Sequence, residues 1–196
     1  MLYQICNGSV TLGGQTILSH VDFEVKGSEK IAIVGPNGAG KTSLLRLIAG
    51  EITPDVDDKA KGKTITSSRN LTVGMLRQTT GEERGKKVAD LIGEGEAERY
   101  LYDKLFTSFG FCLEDEEKYL GEFSGGEQTK IMLIRLLVEK PDIWLLDEPT
   151  NHLDVESVEW LEEYLRHYPK AVVMVSHDRF FLDRVANVVY DLEDGK

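Results

Sequence analysis

The sequence predicts an α/β fold of three layers, in which helices cover both faces of a largely parallel sheet. Runs rich in β-branched residues recur along the chain and indicate strands, and helical patterns follow three of them. Apolar residues make up 41% of the 196 positions, enough to bury the core of one domain. The strand runs cover residues 21–25, 30–34, 143–146, 171–175 and 188–192.

Helices are predicted directly after three of these runs, and residues that stop helices follow two of the helical patterns. Gly50 and Pro169 stand where the first and second patterns end. Strands and helices therefore alternate, which favours a parallel sheet. The predicted helices cover residues 41–49, 155–168 and 179–186.

A helical insertion is predicted in the middle of the chain, because the strand signal disappears between residues 71 and 124. The runs VADLI and AERYLYDKLFTSF fill this stretch, and apolar residues recur in the second at four-residue spacing. These residues are Ala97, Leu101, Leu105 and Phe109. The acidic run EDEE at 114–117 is interpreted as a solvated face.

The net charge of −11 lies almost entirely in the C-terminal half. There are 12 basic and 13 acidic residues through position 98, but 11 and 21 after it. A broad nucleic-acid-binding face would need basic clusters. The two short ones, at 59–63 and 84–87, are interpreted as solvated loops. Broad direct binding of nucleic acid by this acidic domain is therefore not expected.

The sequence has neither the pattern of a membrane span nor that of a secretory leader. The longest apolar runs, IWLL and IMLI, are far shorter than the ~18 residues that a span needs. The N-terminal MLYQICNGSV lacks the basic and apolar regions of a signal peptide, so a soluble, cytoplasmic domain is expected. Cys6 and Cys112 lack metal-ligand spacing and are expected to be reduced, buried thiols, without a disulfide or zinc site.

The strongest chemical signal is GPNGAGKT, which follows a predicted strand and opens a predicted helix. It matches the phosphate-binding loop G-x-x-x-x-G-K-[ST] in the strand–loop–helix context that supports that assignment. Glycines let backbone N–H groups wrap a phosphate chain, Lys41 would reach the β and γ phosphates, and the Thr42 hydroxyl would bind Mg²⁺. The predicted nucleotide contacts are Gly35, Pro36, Asn37, Gly38, Ala39, Gly40, Lys41, Thr42 and Ser43.

A second signal is IWLLDEP, a buried strand that ends in two carboxylates. Ligands gather at the carboxyl edge of a parallel sheet, so Asp147 and Glu148 are expected near the phosphate loop. Adjacent strand residues point to opposite faces, which allows the two acids different roles. Asp147 is predicted to orient Mg²⁺ through water, and Glu148 to act as a general base toward an attacking water.

Three other enzyme classes share parts of this pattern. A GTPase needs Asn-Lys-x-Asp to read guanine, but NHLD at 151–154 has histidine in place of that lysine. A small-molecule kinase would have no reason to carry SGGE ahead of a helix. A Ser-His-Asp hydrolase is excluded because Ser176, His177 and Asp178 are consecutive and project in different directions.

The motifs GPNGAGKT, FSGGE, IWLLDEP, NHLD and SHD, in this order and spacing, resemble the nucleotide-binding domain of ATP-binding-cassette (ABC) proteins over essentially the whole chain. NHLD after DEPT, FSGGEQTK and SHDRFFLDRV most resemble the ABC-F group of soluble cassettes, which act on ribosomes in translation or antibiotic resistance. The resemblance implies a P-loop NTPase fold. It adds an N-terminal antiparallel β part and a helical subdomain inserted before the SGGE motif.

The resemblance also implies roles for further residues. Gln78 would contact Mg²⁺, His177 the γ-phosphate, and Asp154 would cross to a second cassette and help to position the water. Locally, Ser124 is predicted to cap a helix that starts at Gly125, and a glutamate three residues on completes a capping box. In a pair of cassettes this loop would face ATP held by the partner's phosphate loop. Its residues are Ser124, Gly125, Gly126 and Glu127.

The resemblance places one nucleotide-binding domain over residues 1–196. The core would cover about 1–78 and 136–196 and the helical subdomain about 79–135. ATP and Mg²⁺ are the expected ligands, with a second ABC domain of the same chain or of a homodimer, and the ribosome, as partners. The chain is expected to be a fragment of a longer two-cassette protein. The alternatives are the ATP-binding subunit of a membrane transporter and a cassette of DNA maintenance, which lacks support because zinc modules and coiled coils are missing.

One position departs from the family pattern. An aromatic ring that stacks on adenine is normal there, whereas this sequence has Leu12. Leucine offers dispersion contact without a π-face, so weaker or less selective purine binding is expected. Tyr3 is a candidate substitute from another position.

Overall fold

Two sheets organise the protein. The computed structural model describes residues 1–55, 64–76, 81–91, 96–151 and 153–196. Within them, one sheet has three antiparallel strands in the order β2-β1-β4, and the other has five parallel strands in the order β5-β6-β7-β3-β8. The strands are β1 (Tyr3–Leu12), β2 (Gln15–Val25), β3 (Lys30–Val34), β4 (Ile65–Ser67), β5 (Val73–Leu76), β6 (Ile143–Asp147), β7 (Ala171–Val175) and β8 (Val188–Asp191).

The helices follow the strands along the described chain. Short 3₁₀ turns at Val88–Leu91, Leu113–Glu117 and Leu120–Glu122 connect the helices of the middle region. The described residues contain no helix long and apolar enough to cross a membrane. The helices are α1 (Lys41–Ile48), α2 (Gly81–Arg84), α3 (Glu96–Ser108), α4 (Gly125–Glu139), α5 (Val155–His167) and α6 (Arg179–Val185).

The parallel sheet is buried on both faces, which explains why its central strands are apolar except for Lys30 and Asp147 at strand ends. On β6, Ile143 and Leu145 lie in one cluster, and Trp144 and Leu146 lie in another. The first cluster also contains α1 and the antiparallel sheet, and the second contains α4, α5 and α6. Because successive side chains alternate between faces, one strand joins both clusters. The predicted three-layer α/β fold with an N-terminal antiparallel part is confirmed.

The middle region forms a third cluster that is joined to the second by α4. One face of α4 contributes Ile131 and Ile134 to the third cluster, and another contributes Leu133 and Leu137 to the second. The apolar residues predicted at four-residue spacing on α3 lie at the edge of the third cluster, not at its centre. Leu101 and Leu105 are half-buried, whereas Tyr102 and Phe106 are fully buried. Nothing is described for the side chain of Ala97. The residues next to the predicted ones therefore form the core.

Three sequence interpretations are wrong. The strand signal does not end at residue 71, because β5 pairs with β6 at the edge of the parallel sheet. The run 114–117 is not only a solvated face, because Glu116 is buried and forms an ion pair with Arg99. Both cysteines are exposed rather than buried.

The basic run 84–87 lies on the surface, as the sequence predicts. Lys86 is exposed and pairs with Glu82, and the half-buried Lys87 pairs with Glu117. The other basic run, 59–63, lies outside the described residues. Basic side chains that already have acidic partners are poor candidates for binding phosphates.

Candidate functional site

The glycine-rich loop joins β3 to α1 and packs tightly against neighbouring backbone. Gly35 has φ +140°, and a Cβ added there would lie 2.1 Å from the carbonyl oxygen of Leu192. Gly40 precedes α1 with φ +100°, and a Cβ there would lie 3.0 Å from the Ile17 carbonyl oxygen. Only glycine fits these two positions. The loop is thereby held at the carboxyl end of β3, with α1 starting beneath it.

Lys41 lies inside this loop. Its side chain is buried, and Nζ donates to the carbonyl oxygens of Gly35 at 2.8 Å and Pro36 at 2.9 Å. An ammonium group has three donors, so these two acceptors do not exhaust it. The lysine is thus held where an anion at the start of α1 would meet both its charge and the helix N-terminus.

Thr42 and Asp147 meet although 105 positions separate them. The Thr42 hydroxyl donates to Asp147 Oδ1 at 3.4 Å, from the start of α1 to the end of β6. Burial raises the pKa of Asp147, while the Thr42 hydrogen bond and the Lys41 charge oppose that rise. A half-buried carboxylate beside a hydroxyl is a hard-oxygen pair of the kind that Mg²⁺ prefers, and a cation there would relieve the cost of burial.

A closed protein cage for a metal is not found in the described part of the chain, where no group of three His, Cys, Asp or Glu residues converges. Mg²⁺ is commonly held by one or two carboxylates together with phosphate oxygens, so this arrangement suits it. Gln78, the other residue predicted to contact Mg²⁺, lies outside the described residues.

Glu148 is turned away from Asp147 and toward His177. Its backbone is left-handed, with φ +49°, a conformation that costs a non-glycine residue energy and that clusters at functional sites. The Glu148 N–H donates to the Val175 carbonyl at 2.9 Å. Its Oε2 accepts from the His177 N–H at 3.1 Å, and Oε1 lies 3.3 Å from His177 Nε2. The two residues are therefore one unit at the ends of β6 and β7.

The residues on either side of His177 have structural partners. Asp178 caps α6 by accepting from the Phe181 N–H at 3.1 Å. The buried Ser176 hydroxyl accepts from the Asp178 N–H at 3.1 Å and lies 3.4 Å from the Thr150 hydroxyl. Ser176 and Asp178 are thus engaged with backbone, which agrees with the exclusion of a Ser-His-Asp relay.

The loop of residues 124–127, here called the signature loop, forms the predicted cap of α4. The Ser124 N–H donates to Glu127 Oε2 at 2.8 Å, and the Ser124 hydroxyl accepts from the Glu127 N–H at 3.4 Å. Hydrogen bonds to the Glu127 carboxylate, first from the Ser124 side chain and second from its backbone N–H, lower the pKa of Glu127. A Cβ on Gly125 would meet no atom of the described residues within 4 Å, so packing among those residues does not require glycine there.

Asp154 has two partners within its own chain. Oδ1 accepts from the Ser157 N–H at 2.8 Å and caps α5, and Oδ2 lies 2.6 Å from Lys130 Nζ. The Lys130 hydrogen bond, followed by those from Ser157, holds the pKa of Asp154 far below its usual value. Sequence reasoning missed Lys130, because nothing local to SGGEQTK marks a contact with position 154.

The position predicted to stack on a base is at the end of β1. Leu12 is 38% exposed and precedes the Gly13–Gly14 turn of the β1–β2 hairpin. Tyr3 is not available as a substitute, since it is buried and its hydroxyl donates to the Leu47 carbonyl oxygen. Burial raises the pKa of Tyr3 to about 12.

A model of the ABC transporter family matches residues 18–151. ABC transporter F family member 5 of Arabidopsis thaliana is 35% identical, over 93% of this chain and 32% of that protein. The energy-dependent translational throttle protein EttA of Mycobacterium tuberculosis is 34% identical, over 94% of this chain and 39% of that protein. The chain spans roughly a third of the length of the curated relatives it matches.

Solved structures share the fold. The ATP-binding subunit of an ABC transporter superposes with a TM-score of 0.84 at 21% identity, covering 100% of this chain and 87% of that one. A dimeric ATP-binding cassette in a post-hydrolysis state, bound to ADP and Pi, gives 0.77 at 20% identity, covering 99% and 95%.

Proposed function

This chain belongs to the ATP-binding-cassette family and is an ABC ATPase domain, and from that premise we propose that it binds ATP with Mg²⁺ at the carboxyl edge of the five-stranded sheet and hydrolyses it when paired with a second cassette. One observation carries the proposal. The phosphate loop, the Thr42–Asp147 pair and the Glu148–His177 unit all occupy the ends of β3, β6 and β7, which lie side by side in the sheet. Ligands of parallel α/β sheets bind at that edge.

Binding of the triphosphate falls to the phosphate loop. Residues 35–43 would wrap the phosphates with backbone N–H groups, and Lys41 would exchange its carbonyl acceptors for β- and γ-phosphate oxygens. Thr42 and Asp147 would hold Mg²⁺, with Gln78 as a third contact. The ion, when bound, neutralises charge on the phosphate oxygens.

Glu148 is the proposed general base. Its carboxylate would accept a proton from water as the water oxygen attacks the γ-phosphorus and the bond to the ADP oxygen breaks. His177 would donate a hydrogen bond to the γ-phosphate. Its side chain is 62% exposed, so the ring has room to turn from Glu148 toward a phosphate.

The signature loop is proposed to act on ATP that a second cassette holds. Gly125 is exposed, and a Cβ there would meet no described atom within 4 Å, so no side chain at this position covers the start of α4 beside the Ser124 cap. A bare helix N-terminus binds anions, and Ser124 with its neighbouring N–H groups would approach the γ-phosphate held by the partner's phosphate loop. The loop of residues 151–154, on the same chain, would face the partner as well.

The test uses Glu148→Gln, with Glu159→Gln as a matched control on the exposed face of α5. Loss of the base should lower ATP turnover by about 10²- to 10⁴-fold while ATP binding is retained. ATP with Mg²⁺ should then shift the Glu148→Gln chain toward a dimer in light scattering, while Glu159→Gln behaves as wild type. Equal turnover of the two variants would refute the assignment of Glu148.

For the protein that contains this domain, we propose a cytoplasmic ABC-F role at the ribosome, in translation or in protection from antibiotics. It is supported by the likeness to an ABC transporter F family member and to a translational throttle protein. Cosedimentation of the Glu148→Gln chain with ribosomes, only when ATP is present, is the expected result.

The alternative is the ATP-binding subunit of a membrane transporter. It is favoured by the description of the matching family and by the fold shared with a transporter subunit. Copurification of the chain with an integral membrane protein, without ribosome association, would decide for this alternative.

A further inference from the structure

An ion pair joins the second turn of α4 to the N-cap residue of α5. Lys130 Nζ lies 2.6 Å from Asp154 Oδ2. Its side chain is only 18% exposed, so the ammonium is held in one place, whereas the Asp154 side chain is 56% exposed. The pair connects two loops that are 24 positions apart, the signature loop ahead of α4 and the loop of residues 151–154 ahead of α5.

The two carboxylate oxygens of Asp154 have different partners. Oδ1 accepts from the Ser157 N–H and satisfies one of the unpaired donors at the start of α5. An asparagine or serine would cap the helix equally well, so capping alone does not require a charge. The charge is used by Oδ2, which faces Lys130. The ion pair therefore does something that capping of α5 does not: it links Asp154 to α4.

We propose that Lys130 is a positioning residue that ties the loop of residues 151–154 to the signature helix α4, so that the two loops facing a second cassette move as one unit. The inference rests on the proposed function, because it is the second cassette that gives both loops a common task. With Asp154 engaged at both oxygens, it is bound within its own chain and orients the loop that reaches the partner. Lys130 acts through Asp154.

A double-mutant cycle tests this in the chain itself. Lys130→Met removes the charge and keeps the length of the side chain, and Asp154→Asn removes the charge and keeps the cap. Each single change should weaken ATP-dependent pairing, measured in the Glu148→Gln background, by about tenfold, and the double change should weaken it no further. Lys130→Arg should restore most of the pairing, and Lys104→Met, on the exposed side of α3, should behave as wild type.

Measurements of ATP turnover distinguish a positioning role of Lys130 from a role in stability alone. In chains with Glu148 intact, Lys130→Met and Asp154→Asn should lower kcat by a similar factor, with KM for ATP and the affinity of the single chain for ATP unchanged. Amide hydrogen exchange without nucleotide should become faster at 153–158 in both variants. Hydrogen exchange can be measured in the single chain, without pairing of cassettes or ATP hydrolysis.

The outcomes are distinct. Pairing and turnover of Lys130→Met within twofold of wild type would overturn the inference, and so would losses that simply add in the double variant. The inference would also be overturned if Lys130→Met and Lys130→Arg both lowered the melting temperature and that loss of stability accounted for the lost activity. Lys130 would then have a merely structural role. If the unmodified chain neither hydrolyses ATP nor pairs with ATP bound, the proposed function itself fails, and the inference fails with it.

Discussion

Lysines near the two ends of strand β3 are both buried, yet their ammonium groups are bound differently. At the amino end, Lys30 Nζ donates to the carbonyl oxygens of Ser28, Tyr168 and Lys170 at 2.7–2.9 Å. Past the carboxyl end, Lys41 donates to two carbonyls of its own loop, Gly35 and Pro36. Three acceptors satisfy all the donors of Lys30, whereas in the described part of the chain Lys41 retains one donor for a ligand.

The difference lies in what each lysine holds together. The partners of Lys30 come from the turn before β3 and from the segment between α5 and β7, so this lysine fastens distant parts of the chain. The partners of Lys41 lie within six positions of it and belong to a loop that is itself the proposed ligand site. A buried lysine with complete acceptors is therefore structural, and one with incomplete acceptors at the carboxyl edge is suited to an anion.

The largest expected effect is on ATP binding by Lys41→Met. Loss of a charge-assisted contact to the phosphates should lower ATP affinity by about 100-fold. The free energy of unfolding should fall less than on loss of Lys30, because two carbonyls rather than three lose their donor. Titration with a fluorescent ATP analogue measures the affinity. Unchanged ATP affinity would refute the phosphate-loop assignment and, with it, the distinction between a structural Lys30 and a ligand-binding Lys41.

Lys30→Met should have the reverse effect. Three carbonyl oxygens lose their donor in a buried place, which should lower the free energy of unfolding by about 3 kcal/mol and leave ATP affinity unchanged. Lys170→Met is the matched control, since its side chain is 39% exposed and its surface pair with Asp142 should contribute less than about 1 kcal/mol. Urea denaturation of the three chains makes the comparison, and equal losses in the two variants would contradict it.

Ser124→Ala extends the comparison to the signature loop. Loss of the side-chain cap of α4 should lower the free energy of unfolding by about 1 kcal/mol. In the single chain, ATP affinity should not change, because the loop is proposed to act on ATP held by a partner. A tenfold loss of ATP affinity in the monomer would show that the loop contacts nucleotide within its own chain.

The smallest effect concerns pH and Glu127. Because the Ser124 hydrogen bonds lower the pKa of the Glu127 carboxyl, the charged form stabilises the fold. That contribution should be fully present above the ordinary glutamate pKa of about 4.3 and should be lost as pH falls below it. Glu127 is exposed, so screening keeps the effect small. Urea midpoints of wild type and Glu127→Gln between pH 3 and 6 should converge at the acid end.

Sequence patterns identified the central strands because both faces of the parallel sheet are covered. Strands β3, β6 and β7 must be apolar apart from Lys30 and Asp147 at two strand ends, and such runs are visible without a structure. Strand β5 falls outside the predicted strand runs, although its segment LTVGMLRQ has a strand-like pattern, because it contains a glycine, Gly74, whose Cβ position is occupied by the side chains of Leu136 and Pro141. A residue selected by close packing carries no strand signal.

The sequence by itself determined the local chemistry of this protein: the phosphate loop, the acids that end β6, and the capping box of Ser124 and Glu127. Each depends on residues a few positions apart, where spacing fixes geometry. The tertiary structure alone decided that Thr42 meets Asp147, that a left-handed Glu148 faces His177, and that Lys130 holds Asp154. These contacts form between elements distant in sequence, and the packing of the sheet and its helices sets which side chains meet.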